Sequence, residues 1–558
     1  MVRTAVICVL CAGLFAAPAS ASAPAPIRGQ FLMPGVVYSR QIEFTAHGPV
    51  VMHVIVAPKP TGLYALRPIL SNNAILGRER VTSMERRVSG DATVAGVNGD
   101  LFSFSDGHPS GGLIRDGILD RGPSDSRSTV GIDSEGILHV DRVRLAGTWQ
   151  GSGQRRILDV NDTPRPNRAT LYTPAWGART PEENGGAQAI LQPFPASRPN
   201  APLTSTVVQY VSGGNQPIPP DGAVLVARGA QAGFLAAEAP LGSKLTILLT
   251  LTPPWANVVE AMGGGPIVVR DGKPVFRSLE EFTTDQLVPR SPRTGVGQMA
   301  DGRIVLVAVD GAQPGYSTGL TNFELALAMM RLGCVTASAL GSGASTAMAF
   351  DGKLLNRPSD PGGELAVAEA LTVFYYGVYA PAPTSRVLSP NADGVDDTQI
   401  LSYKLVRPSS VTATLTGPGG AALTVDSGSH PPGLYKFNWD GAGKPEGAWT
   451  FKVVADDDLG RHSTADRQFS LNNTLGFLSA QTSGRRLLAG FKLARTARIT
   501  PRIETPSGAL VRTLPSRSLP PGDATISWRG RPGRYVFSVT ATNDAGAVEL
   551  TAPFRLRG

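Results

Sequence analysis

Five loops pair glycines with one or two polar side chains, and each such pairing suits binding or catalysis at a strand end. The first runs Val97-Asn98-Gly99-Asp100-Leu101-Phe102. Asn98 and Asp100, two residues apart after the apolar run Val94 to Val97, would project an amide and a carboxylate into one cleft; the competing reading is a turn in which both satisfy local backbone groups. The second holds Gly263, Gly264 and Gly265 before Pro266. Successive glycines expose backbone N–H groups, which can form an anion-binding concavity or only a sharp turn. The third is Pro292-Arg293-Thr294-Gly295, where an arginine fork would grip a phosphate in bidentate fashion unless it serves a surface ion pair. In the fourth, Asp310 follows an apolar run directly, and Tyr316-Ser317-Thr318-Gly319 follows it. The fifth, Leu340-Gly341-Ser342-Gly343-Ala344-Ser345-Thr346, offers small hydroxyls and open amides. Together they describe a site for a phosphate-bearing ligand. Competing signatures are missing: there is no His-Glu-x-x-His, no Walker loop and no Gly-x-Ser-x-Gly elbow, and the 6 histidines are scattered, which demotes metallohydrolase and serine esterase chemistry.

Those loops need strands to hold them. The turn dipeptides Asp116-Gly117, Glu135-Gly136, Asp271-Gly272 and Asp351-Gly352 each lie between apolar residues and read as hairpins. Lys244 to Leu251 and Arg303 to Val309 are short, apolar and β-branched, the pattern of buried strands. One helix is marked by the capping box Thr321-Asn-Phe-Glu324, an apolar face of Leu325, Leu327, Met329 and Leu332, and Gly333 at its end; Arg78 to Arg87 suggests another. Strands interleaved with a few helices predict an α+β unit over residues 30–380. The Pro-rich segment Tyr379 to Arg386 ends it. Beyond it, Trp439-Asp-Gly441 with Pro445 to Trp449 parallels Trp528-Arg-Gly530 with Pro532 to Tyr535, so the chain predicts two all-β immunoglobulin-like sandwiches, 381–472 and 473–558.

Residues 1–23 have the order of a secretory signal: Arg3, an apolar run from Ala5 to Ala17, then a small-residue tract. The run is short of the roughly 20 residues a membrane span needs. The expectation is a secreted, extracellular or envelope-associated protein with no transmembrane anchor after cleavage. Of 3 cysteines, Cys8 and Cys11 fall in that leader, which leaves Cys334 and no intramolecular disulfide. The net charge of +8 is spread without a Lys/Arg block, so nucleic acid is a poor partner and an anionic substrate or envelope polymer a better one.

The order of the loops resembles the phosphodiester glycosidase family: Asn-Gly-Asp-x-Phe, a Gly-Gly-x-Pro turn, Pro-Arg-Thr-x-x-Gly, strand-Asp-Gly, Ser-x-Gly-Leu-Thr opening a helix, then a Gly/Ser loop, across about residues 35 to 378. Asn161, Arg165, Tyr172-Thr173, Thr180 and Asn356-Arg357-Pro358-Ser359-Asp360 extend the likeness. It implies hydrolysis of sugar 1-phosphodiesters of N-acetylglucosamine type on envelope or extracellular glycans, with no required cofactor. Catalysis would fall to Asp310, Asp100 and Asn98, and substrate binding to Arg293, Thr294, Gly264, Gly265, Ser317, Gly343 and Ser345. One departure stands out: family members usually carry Leu-Asp-Gly-Gly-Gly-Ser-Ser in the fifth loop, where Gly341 replaces the carboxylate. The alternative is therefore a catalytically impaired envelope glycan-binding protein. The first sandwich resembles the flagellar hook-capping Ig-like module, and its Asn391, Asp393, Asp396 and Asp397 are candidate oxygen ligands for a structural calcium, against an Asx-rich turn without metal.

Overall fold

The computed structural model describes residues 29–182, 186–276 and 278–557. The expected leader, 1–23, lies outside the described residues. Strand makes up 51% of the chain and helix 8%, so the fold is mostly β and its helices are short covers on sheets.

An eight-stranded sheet forms the centre, in the order Gln30–Met33, Val36–Thr45, Gly48–Ala57, Ile304–Val309, Arg293–Met299, Cys334–Ala339, Ile267–Arg270, Lys273–Pro274. Ile304–Val309 is buried throughout, as its unbroken apolar sequence requires. Helix Asn322–Arg331 lies on this sheet with both halves of its capping box formed, and Gly333, at φ +90°, closes it. Its buried stripe is Leu325, Ala326, Ala328 and Met329. Leu327, expected inside, is 37% exposed, because it lies on the far side of the turn from Leu325.

Two five-stranded sheets pack beside it. One runs Lys353–Leu354, Met348–Phe350, Thr93–Asn98, Glu369–Tyr375, Tyr64–Leu70; the other Ile118–Arg121, Leu113–Arg115, Val258–Gly263, Thr129–Asp133, Leu138–Asp141. In three hairpins the Asp-Gly turn has both residues at positive φ: Asp116 and Gly117, Asp271 and Gly272, Asp351 and Gly352. Helix Val81–Val88 is the one suggested near Arg78 to Arg87.

Between Leu138–Asp141 and Val258–Gly263 the chain builds a closed barrel of Arg144–Gln150, Arg156–Val160, Ala169–Tyr172, Ala187–Leu191, Pro202–Ser212, Ala223–Ala227 and Lys244–Thr252. Lys244–Thr252 is a barrel strand buried on alternate residues, Leu245, Ile247, Leu249 and Leu251, and not the wholly buried strand its composition suggested.

From Val378 to Leu471 one core gathers around Trp449, Tyr403 and Phe451, and from Leu475 to Leu556 another gathers around Phe537 and Ile499. Each lies within sheets that are antiparallel apart from the short parallel pair of Val387–Leu388 with His462–Leu471. The sequence repeat has a structural counterpart: Trp439 packs on Trp449 at 4.8 Å, and Trp528 on Tyr535 at 5.3 Å. No helix among the described residues is long and apolar enough to cross a membrane.

Candidate active site

Strand Thr93–Asn98 delivers Asn98 to the middle of the fold, where it is wholly buried. Its Nδ2 donates to the carbonyl of Gly341 at 2.9 Å, while its Oδ1 accepts from Thr294 Oγ1 at 2.7 Å and from the Ala347 amide at 3.1 Å. Asn98 thereby ties the third and fifth loops to the first. Thr294 Oγ1 lies 3.4 Å from Thr346 Oγ1, and the Thr346 carbonyl accepts from Asn356 Nδ2. The same Nδ2 reaches Asp310 Oδ1 at 3.0 Å. One hydrogen-bonded chain thus joins Asn98, Thr294, Thr346, Asn356 and Asp310.

Asp310 ends the strand Ile304–Val309, and its side chain is fully buried. Besides Asn356, its carboxylate accepts from the Arg357 amide, from Tyr316 Oη at 2.9 Å and from His53 Nε2 at 3.1 Å. His53 comes from the neighbouring strand Gly48–Ala57, and its Nδ1 meets Tyr38 Oη at 2.7 Å. A carboxylate can only accept, so Nε2 donates to Asp310, and Nδ1 and Tyr38 Oη share the second bond. Next to this buried relay, Tyr316 is half-buried, and the guanidinium groups of Arg357 and Arg40 lie 4.7 Å and 5.9 Å from its ring centre. Both arginines are exposed. Burial raises the Tyr316 hydroxyl above its ordinary pKa, with the Asp310 charge adding to it, so it stays a proton donor to Asp310.

At the other end of the chain, Asp100 is buried against Arg127, whose two terminal nitrogens donate to its two oxygens at 3.3 and 2.9 Å. Burial pushes the Asp100 carboxyl up, and Arg127 pulls it back. Glycine is required around it. A Cβ on Gly111 would stand 2.7 Å from an Asp100 oxygen, and one on Gly263 would collide with the same atom. Behind Asp100, Glu369 accepts from the Asp100 amide at 3.4 Å and keeps Oε2 without a partner among the described residues. Burial, reinforced by the Asp100 charge, pushes its carboxyl up to about 8.

Several predicted binding groups have other work. The Arg293 guanidinium, expected to grip phosphate, is buried and donates to the carbonyls of Gln286, Leu287, Pro289 and Leu320. Burial without a carboxylate partner lowers it to about 10. The Gly264 amide donates to Ser128, the Gly265 amide to Ala339, and the Gly343 amide to Pro292, so these three amides are committed to backbone carbonyls. Ser317 Oγ donates to the Asp310 carbonyl and accepts from Val51, which pins the loop to the sheet. Ser345 is buried in a short 3-10 turn. Gly341 abuts the first loop: a Cβ there would be 2.8 Å from the Gly99 carbonyl oxygen and 3.0 Å from Asn98 Nδ2. Asn161 and Thr173 bond each other in the barrel wall, while Thr180 bonds Gln188 and Arg165 bonds Asp162.

The candidate calcium ligands of the first sandwich take part in backbone bonding. Asp397 accepts from the amides of Asn391, Ala392 and Gly394, and Asp396 accepts from Ser385. Asn391 donates to the Leu475 carbonyl, and Asp393 accepts from the Phe477 amide at 2.7 Å. The motif clasps the following segment, and no group of three or more His, Cys, Asp or Glu suited to a metal exists among the described residues.

The residues that sequence reasoning missed are His53, Tyr38, Arg40, Arg127 and Glu369. His53 interrupts the apolar run Val50 to Ala57, the one signal available; Arg127 sits in a Ser-rich stretch that reads as a solvated turn.

A buried carboxylate relay thus lies beside Tyr316 and two exposed arginines. Residues 201–374, which include the second to fifth loops, match the model of the phosphodiester glycosidase family, in agreement with the likeness read there. A curated relative, the SPbeta prophage-derived uncharacterized protein YomE of Bacillus subtilis, is 36% identical over 108 residues, which are 19% of this chain and 16% of that protein. Among solved structures, a hypothetical protein from Synechocystis aligns at 26% identity and TM-score 0.52, covering 61% of this chain and 62% of its own. The zebrafish N-acetylglucosamine-1-phosphodiester alpha-N-acetylglucosaminidase catalytic domain, auto-inhibited by its pro-peptide, aligns at 15% identity and TM-score 0.34, covering 61% and 83%. The chain therefore spans under two thirds of both the curated relative and the Synechocystis protein.

Proposed function

We propose that this protein is an exported glycosidase that hydrolyses the bond between the anomeric carbon and the phosphate oxygen of sugar 1-phosphodiesters, of N-acetylglucosamine type, on envelope or extracellular glycans. The family match supports glycosidase chemistry at that coarse level. The observation that carries the phosphate specificity is the pair of exposed arginines, Arg40 and Arg357, both beside Tyr316, whose hydroxyl donates to Asp310. They take the part expected of Arg293. The leader-like order of residues 1–23 supports export.

In the reaction, water adds to C1 as the C1–O bond breaks. One water proton leaves to a base, and the phosphate monoester departs with the bonding pair through an oxocarbenium-like transition state. A phosphate monoester leaves readily, so positioned cations supply much of the stabilisation. Arg40 and Arg357 hold the phosphate. Asp310 is saturated by its partners and acts by positioning Tyr316, His53 and the Arg357 backbone. Asp100, paired with Arg127, serves as the base or as the charge that stabilises the cationic sugar.

A second reading, a glycan-binding protein without turnover, is favoured by one observation: Gly341 sits where the family pattern has a carboxylate, and the Gly99 carbonyl leaves a side chain no room there. The test is release of free sugar from a panel of α-linked sugar 1-phosphodiesters. Arg357→Ala, Arg40→Ala and Asp100→Asn should each lower kcat/KM by about 10²–10³. Saturable binding without turnover supports the second reading.

A further inference from the structure

Away from the Asp310 relay, two adjoining cavities of about 510 and 400 Å³ share Asn73, Arg115, Ile118 and Asp120, and so form one groove. Thr173, which bonds Asn161, lines it, whereas Asp310, Asp100, Arg40 and Arg357 do not. Its volume falls in the range of about 300–1000 Å³ typical of small-ligand clefts.

The groove is built from fixed polar pairs. Arg115 Nε donates to Asp120 at 2.6 Å, and Arg67 pairs with Asp116 at 2.5 Å and with Glu260 at 2.9 Å. Glu260, with a side chain only 8% exposed, stands directly behind Arg67 and Asp116 and leaves Oε2 without a partner among the described residues. The Asp120 carbonyl is held by Asn161 Nδ2, and Arg121 reaches the Asn161 carbonyl and Asp162, so the Leu113 to Arg121 hairpin is locked to the barrel. Such a groove loses little freedom on binding. At one end the part-exposed ring of Phe194 lines the groove, while at the other Phe374 is buried beneath Arg67 and Tyr376 lies under Arg461.

Charge then selects the ligand. Asp91, Asp116, Asp120 and Asp221 line the groove against Arg67 and Arg115, four carboxylates to two guanidinium groups. An anionic phosphodiester is repelled there. A sugar hydroxyl both donates and accepts, so alternating carboxylates and guanidinium groups suit it, while the Phe194 ring can take an apolar C–H face of the sugar.

We propose that this groove binds a neutral oligosaccharide, the glycan portion of the substrate or of the surface on which the protein works. This goes beyond the hydrolytic reading and holds whether or not the protein turns over. Calorimetric titration of the full chain with chitotetraose, maltotetraose and anionic tetragalacturonate tests it. At least one neutral tetramer should bind, and Asp221→Ala and Phe194→Ala, changes at the groove rim, should each weaken it by about tenfold through the lost hydrogen bond or ring contact. Arg357→Ala, in the other site, should leave that affinity unchanged. No binding of either neutral tetramer, tighter binding of tetragalacturonate, or affinity indifferent to both rim changes would overturn the proposal.

Discussion

Replacing Glu369 with glutamine should flatten the pH dependence of stability around Asp100. The carboxyl stands at about 8 in the folded chain against an ordinary value of 4.5. A group whose pKa is raised on folding contributes stability that is present at low pH and lost as pH rises through the folded value. From pH 5 to pH 9 the linkage relation gives a loss of about 4 kcal/mol for this one carboxyl. Glutamine is nearly isosteric and cannot ionise, so the variant should escape that loss. Glu260, also raised by burial but pulled down by Arg67, contributes alike to both proteins and cancels in the comparison. The assay is hydrogen exchange at the amides of strands Thr93–Asn98 and Glu369–Tyr375 across that pH range, which reads opening of this sheet without assuming that the whole chain unfolds at once. If wild type and Glu369→Gln lose protection in parallel, the carboxyl is already ionised at neutral pH and the reasoning fails.

Arg293→Lys should destabilise the protein by about 2–3 kcal/mol, because an ammonium cannot span the carbonyls that the guanidinium fork holds. KM of the folded fraction should be unchanged; raised KM at full stability would restore Arg293 to the phosphate. Gly341→Ala should cost about 1–3 kcal/mol by crowding the Gly99 carbonyl, read by thermal unfolding. Chelation with EDTA should leave the melting curve of the C-terminal sheets unmoved, since backbone amides already occupy Asp393 and Asp397; a clear fall would show a bound ion that stabilises them.

The parts written in local order were legible. Thr321 and Glu324 mark a helix start because capping needs those side chains at that spacing, and Asp-Gly marks three tight hairpins because both residues must take positive φ. Asn98, Thr294, Asp310 and the Gly341 to Thr346 loop do converge, as the order of loops suggested. What the order could not give was direction. Arg293 has the residue type for a phosphate, but only its tertiary place shows that carbonyls of 286–289 and 320 consume its donors. His53 reads as a core residue until the neighbouring strand brings Asp310 beneath it. The barrel was hidden because its closure rests on pairings between strands far apart in the chain, such as Arg144–Gln150 with Lys244–Thr252, which no short window carries.

The central claim is cleavage on the sugar side of the phosphodiester. Hydrolysis in ¹⁸O-enriched water tests it most directly. The account predicts label at the anomeric hydroxyl of the released sugar and none in the phosphate monoester; label in the phosphate would mean attack at phosphorus and would contradict it.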